Sequence, residues 1–173
     1  LNRAVSMVMQ QMSGLQTDYY RDFNCDPIDV NTNGRWTAMY GTGGLIDLNT
    51  TQEVAEEQEK YVLLAISQMW EALLFSTAAD LWGAIPYSQA ANPEYAQPEF
   101  DSQQDVHMAV LDLIDDAIEN FQEGQTFALP VEYDFTFSAD IDKWIAAART
   151  LKSRIYLNWA EVNSDYYQLA LQE

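Results

Sequence analysis

Ala79-Asp80-Leu81-Trp82-Gly83-Ala84-Ile85-Pro86-Tyr87-Ser88-Gln89-Ala90 ends a long apolar helix with a glycine and then breaks the backbone with a proline. Gly83 provides a helix stop and Pro86 a rigid turn. Trp82 and Tyr87 are carried through the break, and the element reads as architecture before it reads as a ligand site. Upstream, Val62, Leu63, Leu64, Ile66, Met69, Trp70, Leu73, Leu74 and Phe75 are apolar on nearly every side. A helix apolar all round belongs at the centre of a bundle. Thr50 and Glu53 form a capping-box pattern, with Glu56, Glu57 and Glu59 adding negative charge near the positive end of the dipole. One helix from about Thr50 to Leu81 is expected. Its most apolar run, Tyr61 to Phe75, contains Ser67, Gln68 and Glu71 and is shorter than the ~20 residues of a membrane span.

Working outward, nearly every segment has helical periodicity. Val5, Val8, Met9, Met12 and Leu15 share one face of a first helix. A polar loop from Asp22 to Gly34 follows, with Asp26-Pro27 and Asn33-Gly34 as turn signals. A short helix covers Trp36 to about Leu45. Beyond Gly83, a loop reaches Ser102 and carries Tyr87, Tyr95 and Phe100. Asp101 to Phe121 is amphipathic, with Val106, Val110, Leu113, Ala117 and Phe121 as its stripe. The lone His107 lies beside that stripe as a boundary histidine. A second long loop, Glu123 to Ala139, has Val131, Tyr133, Phe135 and Phe137 in strand-like alternation. Ser138 or Asp140 caps a helix that turns Ile141, Trp144, Ile145, Ala148, Leu151, Ile155 and Trp159 inward. Asn163-Ser164 breaks it, and Tyr166 opens another helix. The expected fold is all-α, made of tetratricopeptide-like helical hairpins with long aromatic-containing loops.

Composition narrows the function. The 173 residues include 27 Asp and Glu against 8 Lys and Arg, a net charge of −19. Such a chain repels phosphate backbones, which argues against nucleic acid. It has no basic patch for anionic lipid. The single cysteine, Cys25, excludes an internal disulfide and is far from His107 in sequence, so it reads as a plain thiol. Lys143, Arg149, Lys152 and Arg154 read as partners for carboxylates such as Asp112 or Asp116. No nucleophile elbow, zinc-helix or phosphate-loop motif is present, and no catalytic, metal or cofactor residues are expected. Leu1 begins within an amphipathic pattern and Tyr166 to Glu173 runs without a stop signal, so a fragment of a longer chain is expected.

Several elements in order resemble the SusD/RagB family of outer-membrane nutrient-binding lipoproteins of Bacteroidetes. Trp36 to Tyr40 is similar to its W-x-x-x-Y helix. Asp80 to Tyr87 is similar to its LWGDVPY helix end, with Ala84 in place of the usual Asp or Asn. Ser102 to Val106, Asp112 to Ala117, and Lys143-Trp144 through Ala148-Arg149-Thr150-Leu151-Lys152-Ser153-Arg154 complete the resemblance, over about residues 36 to 160. It implies residues 1–173 are a single SusD-like helical domain, with the family's C-terminal part absent. It implies a non-catalytic, outward-facing lipoprotein of the outer membrane, held by an N-terminal lipid. Such a protein binds oligosaccharide or polysaccharide for uptake through a SusC-like TonB-dependent transporter.

Sugars are held by aromatic faces against their C–H surfaces, with polar side chains reading hydroxyls. Loop aromatics outside the helical stripes are therefore the candidates. Trp36, flanked by Asn33 and Arg35, comes first, and Tyr95 second. Trp36 and Tyr40, four apart, also read as a packed helical pair. Trp70, Trp82, Trp144 and Trp159 read as packing. Two other readings compete: a tetratricopeptide-like adaptor holding a peptide in a helical groove, and an α/α-barrel glycoside hydrolase, which needs a spaced carboxylate pair.

Overall fold

The computed structural model describes residues 29–41, 43–124 and 131–173, with Met9 and Gln11, and gives only the backbone for 29–33 and 131. The first helical segment (Val5 to Leu15) and Cys25 lie outside the described residues. The chain forms two compact units, Leu1–Gly44 and Leu45–Glu173.

In the first unit, α1 spans Asp29–Tyr40 and buries Met39. It starts earlier than Trp36, and Asn33-Gly34 lies inside it rather than in a turn. Turn propensity is a weak prior that a folded context overrides.

In the second unit, α2 is Leu45–Glu57, α3 Tyr61–Trp82, α4 Gln103–Glu123, α5 Ile141–Trp159 and α6 Asp165–Gln172. The single helix expected from Thr50 is thus two helices. Thr50 is not a cap: its hydroxyl donates back to Ile46 O at 2.9 Å, in mid-helix. The break comes at Glu59, whose φ is 53°. Glu56 and Glu57 therefore end α2, at the negative end of a dipole. The 22 residues of α3 are long and apolar enough for a membrane span, but 67% of its most apolar window is buried, as expected of a core helix.

Cross-contacts fix the order of packing. Gln68 meets Asn120 and Ser76 meets His107, so α3 and α4 run antiparallel. Phe121 stacks on Trp144, Lys152 reaches Asp115 and Trp159 reaches His107, so α4 and α5 do too. Ser153 bonds Ala170 O and Tyr156 stacks on Tyr166, which turns α6 back along α5. The all-α, tetratricopeptide-like hairpin architecture is the one expected. Val106, Val110, Ile114, Ala117 and Phe121 of α4 and Val62, Ala65, Met69, Ala72, Phe75 and Ala79 of α3 are all buried, and α3 and α4 pack on each other. Spacings of three and four put these residues on one side of each helix. Ile114, not Leu113, fills the middle of the α4 stripe.

Two glycines have structural reasons. Gly83 ends α3 at φ 75°, a region that a side chain disfavours. Gly124 ends α4 so close to α3 that a Cβ there would lie 2.7 Å from Val62 Cγ2 and 2.9 Å from its backbone nitrogen. Ser102 caps α4 by accepting from the Asp105 N–H, and its hydroxyl donates to that carboxylate. Asp140, rather than Ser138, caps α5.

His107 is fully buried, not at the boundary. The Trp159 indole N–H can only donate, so Nδ1 accepts it at 2.9 Å. The ring proton is thereby assigned to Nε2, 3.3 Å from Ser76 O and Asp80 Oδ1. Lys143, Lys152 and Arg154 of the basic cluster find carboxylates other than Asp112 and Asp116. Lys152 pairs with Asp115 and Glu173, Arg154 with Asp80 and Lys143 with Asp140. Burial works to depress Lys152, but its two carboxylate partners outweigh that and raise it.

Candidate functional site

The loop 83–102 is a closed excursion with its ends pinned together. Ile85 and Asp101 exchange both backbone hydrogen bonds, at 3.1 and 3.0 Å. The Asp101 carboxylate then accepts the Tyr87 and Ser88 N–H groups, each at 2.8 Å, and the Ser88 hydroxyl at 2.7 Å. Burial acts to raise this carboxyl, but the donors outweigh it and hold it below the usual carboxylate range.

Tyr87 anchors the loop to the core. Its ring lies 4.8 Å from that of Phe75, and its hydroxyl donates to Glu71 Oε1 at 2.8 Å. Gln52 donates to the other Glu71 oxygen at 2.7 Å. Glu71 is buried, and these two donors satisfy both of its carboxyl oxygens. Burial, reinforced by Glu71, drives the Tyr87 hydroxyl well above its ordinary value. Tyr87→Phe keeps the ring contact and removes one donor from a buried carboxylate. It is expected to destabilise the fold by about 1.5–3 kcal/mol, measured by urea unfolding at pH 7.

On this base the loop displays its aromatics to water. Tyr95 is 45% and Phe100 65% exposed. The Asn92 side chain accepts from the Glu94 N–H, and Gln89 from the Glu99 N–H. Ala91 holds a positive φ of 56° between them. The result is a braced loop with aromatic rings and amide and carboxylate side chains on one excursion. Such groups can stack on a sugar's C–H face and read its hydroxyls.

Trp36 and Arg35 belong to the first unit, on α1. Trp36 is part-buried and packs edge-on against Tyr40, ring centroids 5.4 Å apart. That is the helical pairing already expected from their spacing. The Asn33 side chain lies outside the described residues.

A second aromatic feature escaped the sequence reading. The Val131–Phe137 alternation forms no strand: Val131–Tyr133 is a short 3-10 turn, and 135–139 is a further turn. The reason is the Asp134 carboxylate. It accepts the N–H groups of Thr136, Phe137 and Ala139, and the Trp144 indole N–H at 2.7 Å. These bonds curl the backbone, with φ at 56° for Ser138 and 60° for Ala139. Phe137 is turned onto Trp144, while Phe135 is left 96% and Tyr133 69% exposed. Beside the turn is an apolar groove of about 180 Å³ lined by Met69, Trp70, Leu73, Thr136, Phe137, Trp144, Ala147 and Leu151. Trp70, expected in the packing, is 46% exposed. Nothing in its helical spacing signals that, because α3 is apolar on every side. Among the described residues, no group of three or more His, Cys, Asp or Glu is placed to hold a metal ion.

A family model described as starch-binding and associating with the outer membrane, SusD-like, matches residues 2–173. The chain is similar to a SusD homolog from Bacteroides uniformis, with 28% identity over 73% of this chain and 26% of that one, at a TM-score of 0.66. It is similar in fold to a SusD/RagB family protein from Bacteroides thetaiotaomicron, with 24% identity over 99% of this chain and 37% of that one, at a TM-score of 0.82. The matches therefore cover only 26% and 37% of the length of these solved relatives. A comparison with curated proteins finds no match.

Proposed function

The chain belongs to the SusD-like family of starch-binding proteins that associate with the outer membrane, and from that membership we propose that it captures glycan at the cell surface without catalysis. The match over residues 2–173 carries this reading. The braced loop supports it, because a binding surface that is already ordered loses little entropy when ligand arrives. The proposal includes one SusD-like helical domain, an outward-facing lipoprotein held by an N-terminal lipid, and delivery to a SusC-like TonB-dependent transporter. It places ligand contacts at Tyr95 on the loop and at Trp36, Arg35 and Asn33 on α1.

The test is affinity gel electrophoresis of the chain through amylopectin and a panel of other polysaccharides. Retarded migration on at least one glycan is expected. Tyr95→Ala and Trp36→Ala are each expected to weaken it roughly 2- to 10-fold, the worth of one stacked ring. Unretarded migration on every glycan would rule out the capture role. Retention unchanged in both variants would keep the role and move the contacts elsewhere.

A further inference from the structure

We propose that Glu71 is a positioning residue: the hydrogen-bonded node Gln52–Glu71–Tyr87 sets where the 83–102 loop sits on α2 and α3, and thereby where the loop holds Tyr95. The part concerning what Tyr95 binds rests on the glycan-capture reading above, and the placement of the loop does not.

Glu71 differs from the other buried polar groups of α3. Ser67 and Ser76 donate to carbonyls of their own helix, at Leu64 and Leu73. Gln68 accepts from Asn120 of α4. Glu71 reaches two elements at once, with one carboxyl oxygen on Gln52 of α2 and the other on Tyr87 of the loop, at 2.7 and 2.8 Å. These partners are 19 and 16 residues away in the chain. The node therefore fixes three elements against one another at a single buried group.

Such a node contributes little net stability. Burying the Glu71 carboxyl costs desolvation, which its two hydrogen bonds offset, and apolar groups of similar shape fill such a place about as well. What apolar groups do not supply is direction. The Tyr87 ring meets Phe75 at 4.8 Å between centroids and 44° between planes, and apolar contact of this kind tolerates sliding because it is non-directional. A hydrogen bond of 2.8 Å holds only over a narrow range of distance and angle. Phe75 thus keeps the ring against α3, and Glu71 fixes where on α3 it stops.

The loop carries that placement onward to Tyr95 through bonded backbone. Asp101 holds the Tyr87 and Ser88 N–H groups. The Tyr87 carbonyl accepts the Ala90 N–H at 3.1 Å, and Gln89 takes the Glu99 N–H across the loop at 3.0 Å. The Asn92 carbonyl then accepts the Tyr95 N–H at 3.1 Å. A shift of the Tyr87 ring is therefore passed to Tyr95 with little slack between them.

The experiment compares the chain with Glu71→Gln, Tyr87→Phe and an all-apolar triple variant, Gln52→Leu with Glu71→Leu and Tyr87→Phe. Each is followed by urea unfolding, by NMR order parameters of the backbone amides and by retention in amylopectin gels. Glu71→Gln keeps an acceptor for Tyr87, and the Gln52 amide can turn to accept from the new one. Its loop order and its retention are expected to match the unmodified chain within about 2-fold. The triple variant is expected to keep nearly the unmodified urea midpoint. Its amides in 87–99 are nevertheless expected to fall from about 0.85 to below about 0.6 in order parameter, with α4 unchanged, and its retention to weaken about 2- to 10-fold. A node that only stabilises would not separate midpoint from loop order in this way. Should the triple variant not fold, Tyr87→Phe decides by the same loop order parameters.

Unchanged loop order in both the triple variant and Tyr87→Phe would overturn the proposal. So would a triple variant that loses as much stability as Tyr87→Phe alone, which would make the node a stabilising element. Loosening in Glu71→Gln equal to that in the triple variant would also overturn it, because hydrogen-bond geometry would not be what holds the loop. A loosened loop with unchanged retention would sever the link to Tyr95 and leave glycan capture standing. If the unmodified chain is not retained, starch capture falls, and the order parameters alone decide the placement of the loop.

Discussion

Trp144→Ala is expected to destabilise the second unit by about 4 kcal/mol, the largest loss from any single truncation considered. Trp144 is 4% exposed and sits where three elements meet. Phe121 of α4 stacks on it, with ring centroids 5.9 Å apart and planes 20° from parallel. Phe137 of the turn and Trp70 of α3 pack against it edge-on. Its N–H is also a ligand of the Asp134 carboxylate. Truncation opens a cavity next to an existing groove and takes one donor from a buried charge. Urea unfolding at pH 7 should show a lower midpoint with an unchanged slope. Trp144→Phe separates the two contributions: it keeps most of the volume and should cost about 1–2 kcal/mol, the worth of the lost donor. A loss below about 1 kcal/mol for the alanine variant would mean that the three-way junction is not part of the cooperative core.

Asp134→Ala is expected to cost about 3 kcal/mol. The carboxylate is 6% exposed, and its removal orphans the Trp144 indole N–H and the three turn N–H groups it receives. It also removes what holds Ser138 and Ala139 at positive φ. The pH dependence gives an independent check. Burial acts to raise this carboxyl, but the Trp144 indole and the turn N–H groups outweigh it, so the folded-state value lies below the ordinary one. A carboxyl depressed by folding contributes stability that is fully present above its unfolded value, near about 4, and is lost as pH falls through the folded value. The stability gap between the protein and Asp134→Asn should therefore be constant near neutrality and narrow in acid below about pH 4. Comparing the two chains cancels the general acid response of so acidic a protein. A gap that stays the same at every pH would show that Asp134 does not act as a charged acceptor.

Helical spacing already marks Trp144 as an inward-facing core residue, whereas the importance of Asp134 was not legible locally. Asp134 sits in Glu132-Tyr133-Asp134-Phe135-Thr136, which alternates like a strand and carries no turn dipeptide. What curls it is the Asp134 carboxylate taking the N–H groups of Thr136, Phe137 and Ala139, with the Trp144 indole ten residues away on α5 as its fourth donor. The failed cap at Thr50 has a similar origin. The capping pattern is a local signal, but Thr50 already satisfies its hydroxyl on the preceding turn, and α2 begins at Leu45. The true break at Glu59 has neither glycine nor proline to announce it. The groove was hidden for another reason. Periodicity can show that α3 is apolar, but not which part of an all-apolar helix its neighbours fail to cover.

The sequence by itself determined the helical class, the stop at Gly83, the long loop beyond it and the family, and it narrowed the cap of α5 to Ser138 or Asp140. Each depends on a residue type acting over a few positions: backbone freedom at a glycine, a side-chain oxygen near free N–H groups, or apolar spacing along one face. Only the tertiary structure decided that Tyr87 hangs from a buried Glu71, that Asp101 ties off the loop, and that Trp70 stands open beside a strained turn. Those outcomes depend on groups far apart in the chain competing for the same buried volume and the same hydrogen-bond donors. That competition is resolved only when the helices pack.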